Sequence, residues 1–168
     1  ISGTFTRSTG VPLKNATIII TINGVNYRTK TDENGNYALN YTVTKVGVNN
    51  ITATFAGNSV YNSVNMSKTF TVNKKDTIVT LDDIPNTEIS NTITLTGTFT
   101  RSTGVPLKNA TIIVTINDVN YTTKTDADGV YALNYMANNV GTNNVTATFN
   151  GNSVYNNATV SKTFTVTN

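Results

Sequence analysis

Apolar and polar residues alternate with a period of two along almost the whole chain. Ile93, Leu95 and Phe99 fall on one face of an extended segment, and the threonines between them fall on the other. The same alternation places Ile51 and Phe55 opposite neighbouring threonines, and no segment follows a helical period. Because successive side chains of a strand point to opposite faces, this pattern predicts half-buried strands and an all-β fold.

Seven strands are predicted in one complete stretch of the chain, near 77–84, 91–101, 110–117, 119–125, 130–136, 143–150 and 159–167. Asn117-Asp118 separates the third strand from the fourth, as Asn23-Gly24 does earlier in the chain. Both dipeptides tolerate the positive φ values of a two-residue hairpin. Seven short antiparallel strands in about 94 residues predict an immunoglobulin-like β-sandwich held by apolar packing, since the chain has no Cys.

The chain also repeats itself. Residues 1–74 align with residues 95–168 at an offset of 94, with roughly 70% identity and no gap. This period matches a small independent domain, so we predict two tandem sandwiches, 1–74 and 75–168. The junction at 72–76 is short and lacks Gly and Pro, which favours a stiff, end-to-end arrangement.

The two copies are unequal at their beginnings. Ile1 aligns with Leu95, which lies inside the second predicted strand, so the copy at 1–74 lacks its counterpart of residues 75–94 and its first strand. Two interpretations follow: the chain is a piece of a longer array, which we favour, or the working module is permuted relative to these boundaries. In the first case the strand beginning at Ile1 would expose an unpaired edge.

The amino-acid composition argues against several classes of function. The 168 residues include no Cys, His or Trp, only 12% are charged, and the net charge is +3. No basic run interleaves with aromatic residues, which argues against nucleic-acid binding, and no 18-residue apolar window exists for membrane insertion. General acid–base catalysis relies mostly on His or on paired carboxylates, so we predict no enzyme activity, no catalytic residues and no cofactor.

Two local patterns raise sharper alternatives. Asp126 and Asp128 resemble the start of a calcium loop, but no Glu follows, and a turn between strands is the favoured interpretation. An internal isopeptide would need a buried amine beside a carboxyl group, with Lys68 or Lys162 as the amine and Asp32 or Asp126 as the acid. Both a weak calcium site and an isopeptide remain open at this stage, and no metal site is assigned.

Surface chemistry is equally open. Eight glycosylation sequons begin at Asn15, Asn40, Asn50, Asn65, Asn109, Asn120, Asn144 and Asn157, a number close to what the composition alone would produce. The pairs Tyr37/Tyr41 and Tyr131/Tyr135 could stack on sugars, although packing in or beside the core is favoured.

Several segments together resemble a known family. Gly-Val-Pro-Leu-Lys-Asn-Ala-Thr-Ile occurs in both copies, and residues 125–135 and 144–155 carry similar turn and core signals. Over its whole length the chain resembles the immunoglobulin-like repeats of adhesin-like surface proteins, in an Asn- and Thr-rich version similar to those of methanogenic archaea. The resemblance implies an extracellular, cell-surface stalk that presents a distal binding domain.

Two functions follow. The first is a structural spacer whose partners are neighbouring repeats of the same chain. The alternative is a repeat module that itself binds a surface polysaccharide or a partner protein, since avidity also rewards repetition.

Overall fold

The alternating pattern forms strands throughout the chain. The computed structural model describes all 168 residues and contains 14 strands and no α-helix, which confirms the all-β prediction. No helical segment is therefore present that is long and apolar enough to cross a bilayer. The strands fall into two compact units, Ile1–Asn73 and Lys74–Asn168.

The first unit is built from six strands in two sheets. They are β1 (Ser2–Thr4), β2 (Thr17–Ile22), β3 (Val25–Lys30), β4 (Asn36–Ala38), β5 (Gly47–Phe55) and β6 (Val64–Val72). One sheet has the order β3-β2-β5-β6, and the other contains only the antiparallel pair β1-β4. The second layer of this sandwich is therefore small.

The second unit has eight strands and a larger second layer. They are β7 (Thr77–Val79), β8 (Thr87–Glu88), β9 (Thr92–Arg101), β10 (Thr111–Ile116), β11 (Val119–Lys124), β12 (Val130–Met136), β13 (Gly141–Phe149) and β14 (Ala158–Thr167). One sheet has the order β11-β10-β13-β14-β8, and the other has the order β12-β9-β7.

The predicted hairpin turns are present in both units. Asn23 and Gly24 have φ values of 49° and 84°, and Asn117 and Asp118 have values of 47° and 67°. Two successive residues at positive φ are typical of a type I′ turn, whose twist matches that of the strands it joins. The turns fix the register, so Ile22 pairs with Val25 and Ile116 pairs with Val119.

The prediction of one strand over 77–84, within a set of seven, is wrong. Strand pairing ends at Val79, although the backbone N–H groups of Thr80 and Asp82 still donate to Thr98 and Thr96, both at 2.8 Å. The chain then crosses to the other sheet, where β8 pairs in parallel with β14. Residues 77–88 thus contribute two short strands, β7 at the edge of one sheet and β8 at the edge of the other. The sequence did not predict β8, because a strand of two residues is too short to show a periodic pattern.

The cores of the units differ in size. Sixteen buried apolar residues form the core of the second unit, among them Leu95, Phe99, Tyr131 and Phe164. The core of the first unit has only four buried residues, namely Ile18, Ile20, Ile22 and Phe55. Aligned residues are thus packed to very different extents.

Candidate functional site

An open groove lies in the first unit between its two sheets. The walls are β1 and β4 on one side and the ends of β5 and β6 on the other. Two adjoining depressions, of about 250 and 290 Å³, share Thr4, Tyr37, Ala53 and Met66 as lining residues. We call this surface the first-unit groove.

The lining of the groove is largely apolar. Phe5, Ile18 and Phe55 line one end of the groove, and Ile1 and Ile51 line the other. Met66 is 63% exposed, although its side chain lies on the same surface as these apolar groups. Apolar side chains from both sheets therefore form one continuous lining.

The equivalent surface of the second unit is covered by the chain itself. Strand β7 pairs with β9, and Val79 and Leu81 are 5% and 4% exposed within the core. Beneath them Ala147 is fully buried, whereas the aligned Ala53 is only partly buried. The extended segment that includes β7 therefore forms part of the sandwich layer.

A glycine and a tyrosine allow this segment to approach closely. The hydroxyl of Tyr131 donates a hydrogen bond to the carbonyl oxygen of Thr80. A Cβ atom at Gly97 would overlap both that carbonyl oxygen and the Tyr131 ring. The first unit retains the same pair, because a Cβ atom at Gly3 would overlap the Tyr37 ring.

An ion pair also links the segment after β7 to strand β14 in the second unit. The Lys162 ammonium lies 2.5 Å from the Asp83 carboxylate, which lowers the pKa of that carboxyl through a hydrogen bond and Coulomb attraction. This is the only salt bridge in the protein. The aligned Lys68 lines the first-unit groove and has no carboxylate within 4 Å.

The structure assigns the Asp126 side chain to a turn. Its Oδ1 atom accepts hydrogen bonds from the N–H groups of Asp128 and Val130, at 2.9 and 3.0 Å. Asp32 accepts from Asn34 and Asn36 in the same way. No group of three or more His, Cys, Asp or Glu side chains is arranged to hold a metal ion.

The fold does not pair the lysines proposed for an isopeptide, Lys68 and Lys162, with the proposed acids, Asp32 and Asp126. Lys162 forms its ion pair with Asp83, whose side chain is fully exposed, and Asp126 lies in its turn. An isopeptide requires these groups to be buried together, because the reaction depends on shielding from water.

The tyrosines of the second unit are part of the core. Tyr131 is 1% exposed and Tyr135 is 9% exposed, and the Tyr135 ring packs edge-on against Tyr121 and Phe164, with centroids 5.9 and 6.4 Å apart. Burial raises the pKa of both tyrosines. In the first unit Tyr37 and Tyr41 are partly buried.

The eight sequon asparagines are all exposed, which leaves each accessible to modification. They are distributed over both units rather than gathered on one surface element.

Sequence reasoning missed a buried amide network. Asn143 is fully buried, and its Nδ2 donates to the carbonyl oxygens of Asn139 and Gly141, while its Oδ1 accepts from the side chain of Asn117 at 2.6 Å. Asn49 occupies the same place in the first unit and accepts from Asn23 at 2.7 Å. The only available signal was an unchanged Asn at a position where the strand pattern requires an apolar residue.

Comparisons with known proteins show the fold. No protein-family model matches the chain, and no curated protein matches it. Invasin, a bacterial integrin-binding protein, is 21% identical over 98% of this chain, with a TM-score of 0.52. This match shows a shared β-sandwich fold.

Two further solved structures are similar. A 1.5-MDa bacterial ice-binding adhesin is 18% identical over 90% of this chain, with a TM-score of 0.45. Fibronectin(III)-like modules of Clostridium thermocellum CbhA are 12% identical over 99% of this chain, with a TM-score of 0.46. The chain spans 52% of the adhesin structure, 85% of the CbhA structure and 34% of the invasin structure.

Proposed function

We propose that this chain is a pair of structural spacer repeats from an extracellular, adhesin-like surface protein. The observation that carries the proposal is the duplication of a sandwich whose turns and strand positions are kept. Both units have the same type I′ hairpin, the same Asp-capped turn and the same buried amide. What the repetition preserves is fold geometry, as a spacer requires.

Two observations support the surface-protein part of the proposal. The fold is shared with invasin, which is described as a bacterial integrin-binding protein. The Asn- and Thr-rich composition provides a polar surface of low charge. The resemblance of the sequence to the repeats of methanogenic archaea extends the proposal to repeats of that type. The partners of each unit would be neighbouring repeats.

The proposed role is non-enzymatic. The few carboxylates lie in turns or on the exposed surface, as Asp32, Asp126 and Asp83 do. Without His or Cys, the chain has no nucleophile–base pair of the usual kinds. These features support a mechanical rather than a catalytic function.

The alternative is a repeat module that itself binds a surface polysaccharide or a partner protein. Stacking on a sugar would need exposed aromatic faces. The burial of Tyr131 and Tyr135 argues against this role for the second unit. The two functions are separated by applying the 168-residue chain to a glycan array and by stretching the same chain in single-molecule force spectroscopy.

A spacer should unfold in two discrete events and bind no glycan saturably. The expected contour lengths are about 250 and 320 Å, at about 3.4 Å for each extended residue of the two units. Saturable micromolar binding to one glycan class would replace the spacer with a binding module. A single gradual extension without discrete events would contradict load-bearing sandwich domains.

A further inference from the structure

We propose that Asn150 is a site of spontaneous covalent modification, at which the side-chain amide is lost through a cyclic imide formed with Gly151. The chain has three Asn-Gly dipeptides, at 23–24, 34–35 and 150–151. Glycine has no side chain to shield its backbone nitrogen, so all three dipeptides have the local chemistry for this reaction. The fold separates them, because it restrains the first two and leaves the third free.

The reaction joins atoms of adjacent residues. The backbone nitrogen of Gly151 attacks Cγ of Asn150, a new N–C bond forms, the bond from Cγ to the amide nitrogen breaks, and ammonia leaves. The attacking nitrogen loses its proton to solvent, and the departing amide takes one up. Water then opens the imide at either carbonyl carbon, which gives aspartate in the ordinary backbone or isoaspartate, whose backbone runs through the side chain.

Asn23 is held away from this reaction by the buried amide network. Its Nδ2 donates to Oδ1 of Asn49 at 2.7 Å, and its Oδ1 accepts from the N–H of Asn50 at 2.9 Å. Attack requires Cγ to lie close to the backbone nitrogen of Gly24 in the correct orientation. Both side-chain hydrogen bonds must therefore break before Asn23 can react.

Asn34 is restrained at the attacking nitrogen instead. Its side chain is exposed, but the N–H of Gly35 donates to the carbonyl oxygen of Asp32 at 3.1 Å. The carbonyl oxygen of Gly35 accepts from the N–H of Phe5 at 2.7 Å, so this glycine is fixed on both sides. We therefore expect Asn34 to react more slowly than Asn150.

Asn150 has neither restraint. It is exposed, and neither its side chain nor the N–H of Gly151 makes a hydrogen bond within the protein. Two residues later Asn152 has the opposite arrangement, because its Oδ1 accepts from the N–H groups of Val154 and Tyr155, both at 2.8 Å. The same loop thus holds one asparagine and leaves the other free to reach the near-attack geometry.

Modification at this position would act on a loop that anchors the beginning of the second unit. The carbonyl oxygen of Val154 accepts from the N–H of Lys75, and the N–H of Asn156 donates to the carbonyl oxygen of Lys75, both at 2.9 Å. A Cβ atom at Gly151 would lie only 3.1 Å from the nitrogen of Asn157, so the loop has little room there. Isoaspartate lengthens the backbone by one atom, which should displace the loop and weaken its hold on Lys75.

The test compares the three dipeptides within one chain. The 168-residue protein is aged in warm, mildly alkaline buffer and digested, and mass spectrometry measures amide loss at Asn150, Asn34 and Asn23. We expect the rates to fall in that order, with Asn150 at least about tenfold faster than Asn23, because two hydrogen bonds must break at Asn23. The matched control is the same chain unfolded in urea, in which the three rates should converge.

A variant tests the restraint at Asn23. Asn49→Ala removes the acceptor of its Nδ2, so amide loss at Asn23 should accelerate while the rate at Asn34, in the same unit, stays unchanged. An equal acceleration at Asn34 would assign the protection to the overall stability of the first unit and would contradict the role given to the hydrogen bonds.

Hydrogen exchange at the backbone amides of Lys75 and Asn156 reads the effect on the loop. Both amides should exchange faster in the aged chain, whereas Asn150→Asp, which carries the new charge in an ordinary backbone, should stay close to the fresh chain. Asn150→Ala copies the aligned Ala56 and should keep its slow exchange through the same treatment. Equal rates of amide loss at the three dipeptides of the folded chain would overturn the proposal, and unchanged exchange after ageing would overturn the effect on the loop.

Discussion

The same side chain is packed differently in the two units. Phe164 of β14 is 2% exposed and belongs to the core, whereas the aligned Phe70 of β6 is only partly buried and lies outside the core cluster. The pairing partners are the same, because Phe164 lies opposite Asn143 of β13 and Phe70 lies opposite the aligned Asn49 of β5. The difference arises from the opposite layer, which has three strands in the second unit and two short strands in the first.

The contrast extends to most core positions. Val145 is fully buried, but the aligned Ile51 is partly exposed, and Leu95 is 1% exposed, whereas Ile1 is 43% exposed. Hydrophobic stabilisation scales with the apolar area removed from water. We therefore expect the second unit to be the more stable of the two, and matched substitutions in both units can test this.

Truncation of the aligned phenylalanines should give the largest difference. Phe164→Ala should lower the unfolding free energy of the second unit by about 3–5 kcal/mol, because it removes a buried ring and leaves a cavity. Phe70→Ala should cost the first unit less than half as much. Urea unfolding followed by NMR signals specific to each unit would measure both, and equal losses would contradict the burial comparison.

Replacing the aligned glycines Gly97 and Gly3 by Val should give the next largest difference in unfolding free energy between the units. Gly97→Val would force the Thr80 carbonyl and the Tyr131 ring to move, which should destabilise the second unit by about 1–3 kcal/mol or more. Gly3→Val would meet only the side chain of Tyr37, which has room to move, so the loss in the first unit should be smaller. The same urea titration measures both, and a larger loss for Gly3→Val would reverse the interpretation.

Removing the buried amide should lower the unfolding free energy of both units by the same amount. Asn143→Ala and Asn49→Ala should each cost about 1–3 kcal/mol, because each leaves buried hydrogen-bonding groups without partners. Asn144→Ala is the control, since its side chain is exposed and the expected change is within about 0.5 kcal/mol. Unequal losses at 49 and 143 would show that the smaller core also weakens this corner of the first unit.

Alkaline pH should affect the second unit specifically. Burial, assisted by the Asp82 carboxylate, raises the pKa of Tyr131 above its ordinary value of 10.0. The folded state then keeps a proton that the unfolded state releases, so stability is full below pH 10 and falls as the pH rises above it. Thermal melts should show this loss, and Tyr131→Phe should reduce it.

Near neutrality the melts should be nearly flat. The chain has no His, so no ordinary side chain changes charge between about pH 5.5 and 8. A shift of the melting temperature by more than a few degrees across this range would point to a titrating group that the structure does not show.

Calcium should have the smallest effect. Asp126 already uses one carboxylate oxygen to hold its turn, and it belongs to no group of three or more His, Cys, Asp or Glu side chains that could hold a metal ion. Melting curves with EDTA and with millimolar Ca²⁺ should overlay, because only a bound ion would stabilise by mass action. A clear upward shift with Ca²⁺ would restore a site at Asp126 and Asp128.

Local features of the fold could be predicted from the sequence. The alternation of Ile93, Leu95 and Phe99 with threonines predicted a strand at 91–101, where β9 spans Thr92–Arg101. Asn117-Asp118 predicted a hairpin, because positive φ at two successive residues is a local backbone requirement. These features depend only on neighbours in the chain.

The first-unit groove was predictable only in part. Alignment of Ile1 with Leu95 predicted an unpaired strand edge, but the lining by Met66 and Ala53 follows from how the two sheets face each other. The buried amides Asn49 and Asn143 were missed, because their partners lie in a hairpin 26 residues earlier. Such contacts have no periodic signal.

By itself, the sequence determined the class of fold, the repeat and the turns, since alternation and turn chemistry act over a few residues. Only the tertiary structure decided which residues of two nearly identical copies are buried. Strand β7 covers the second unit, and β1 leaves an open edge in the first. The physical reason is that burial depends on the layer that lies opposite, and the same Phe is a core residue only where that layer is complete.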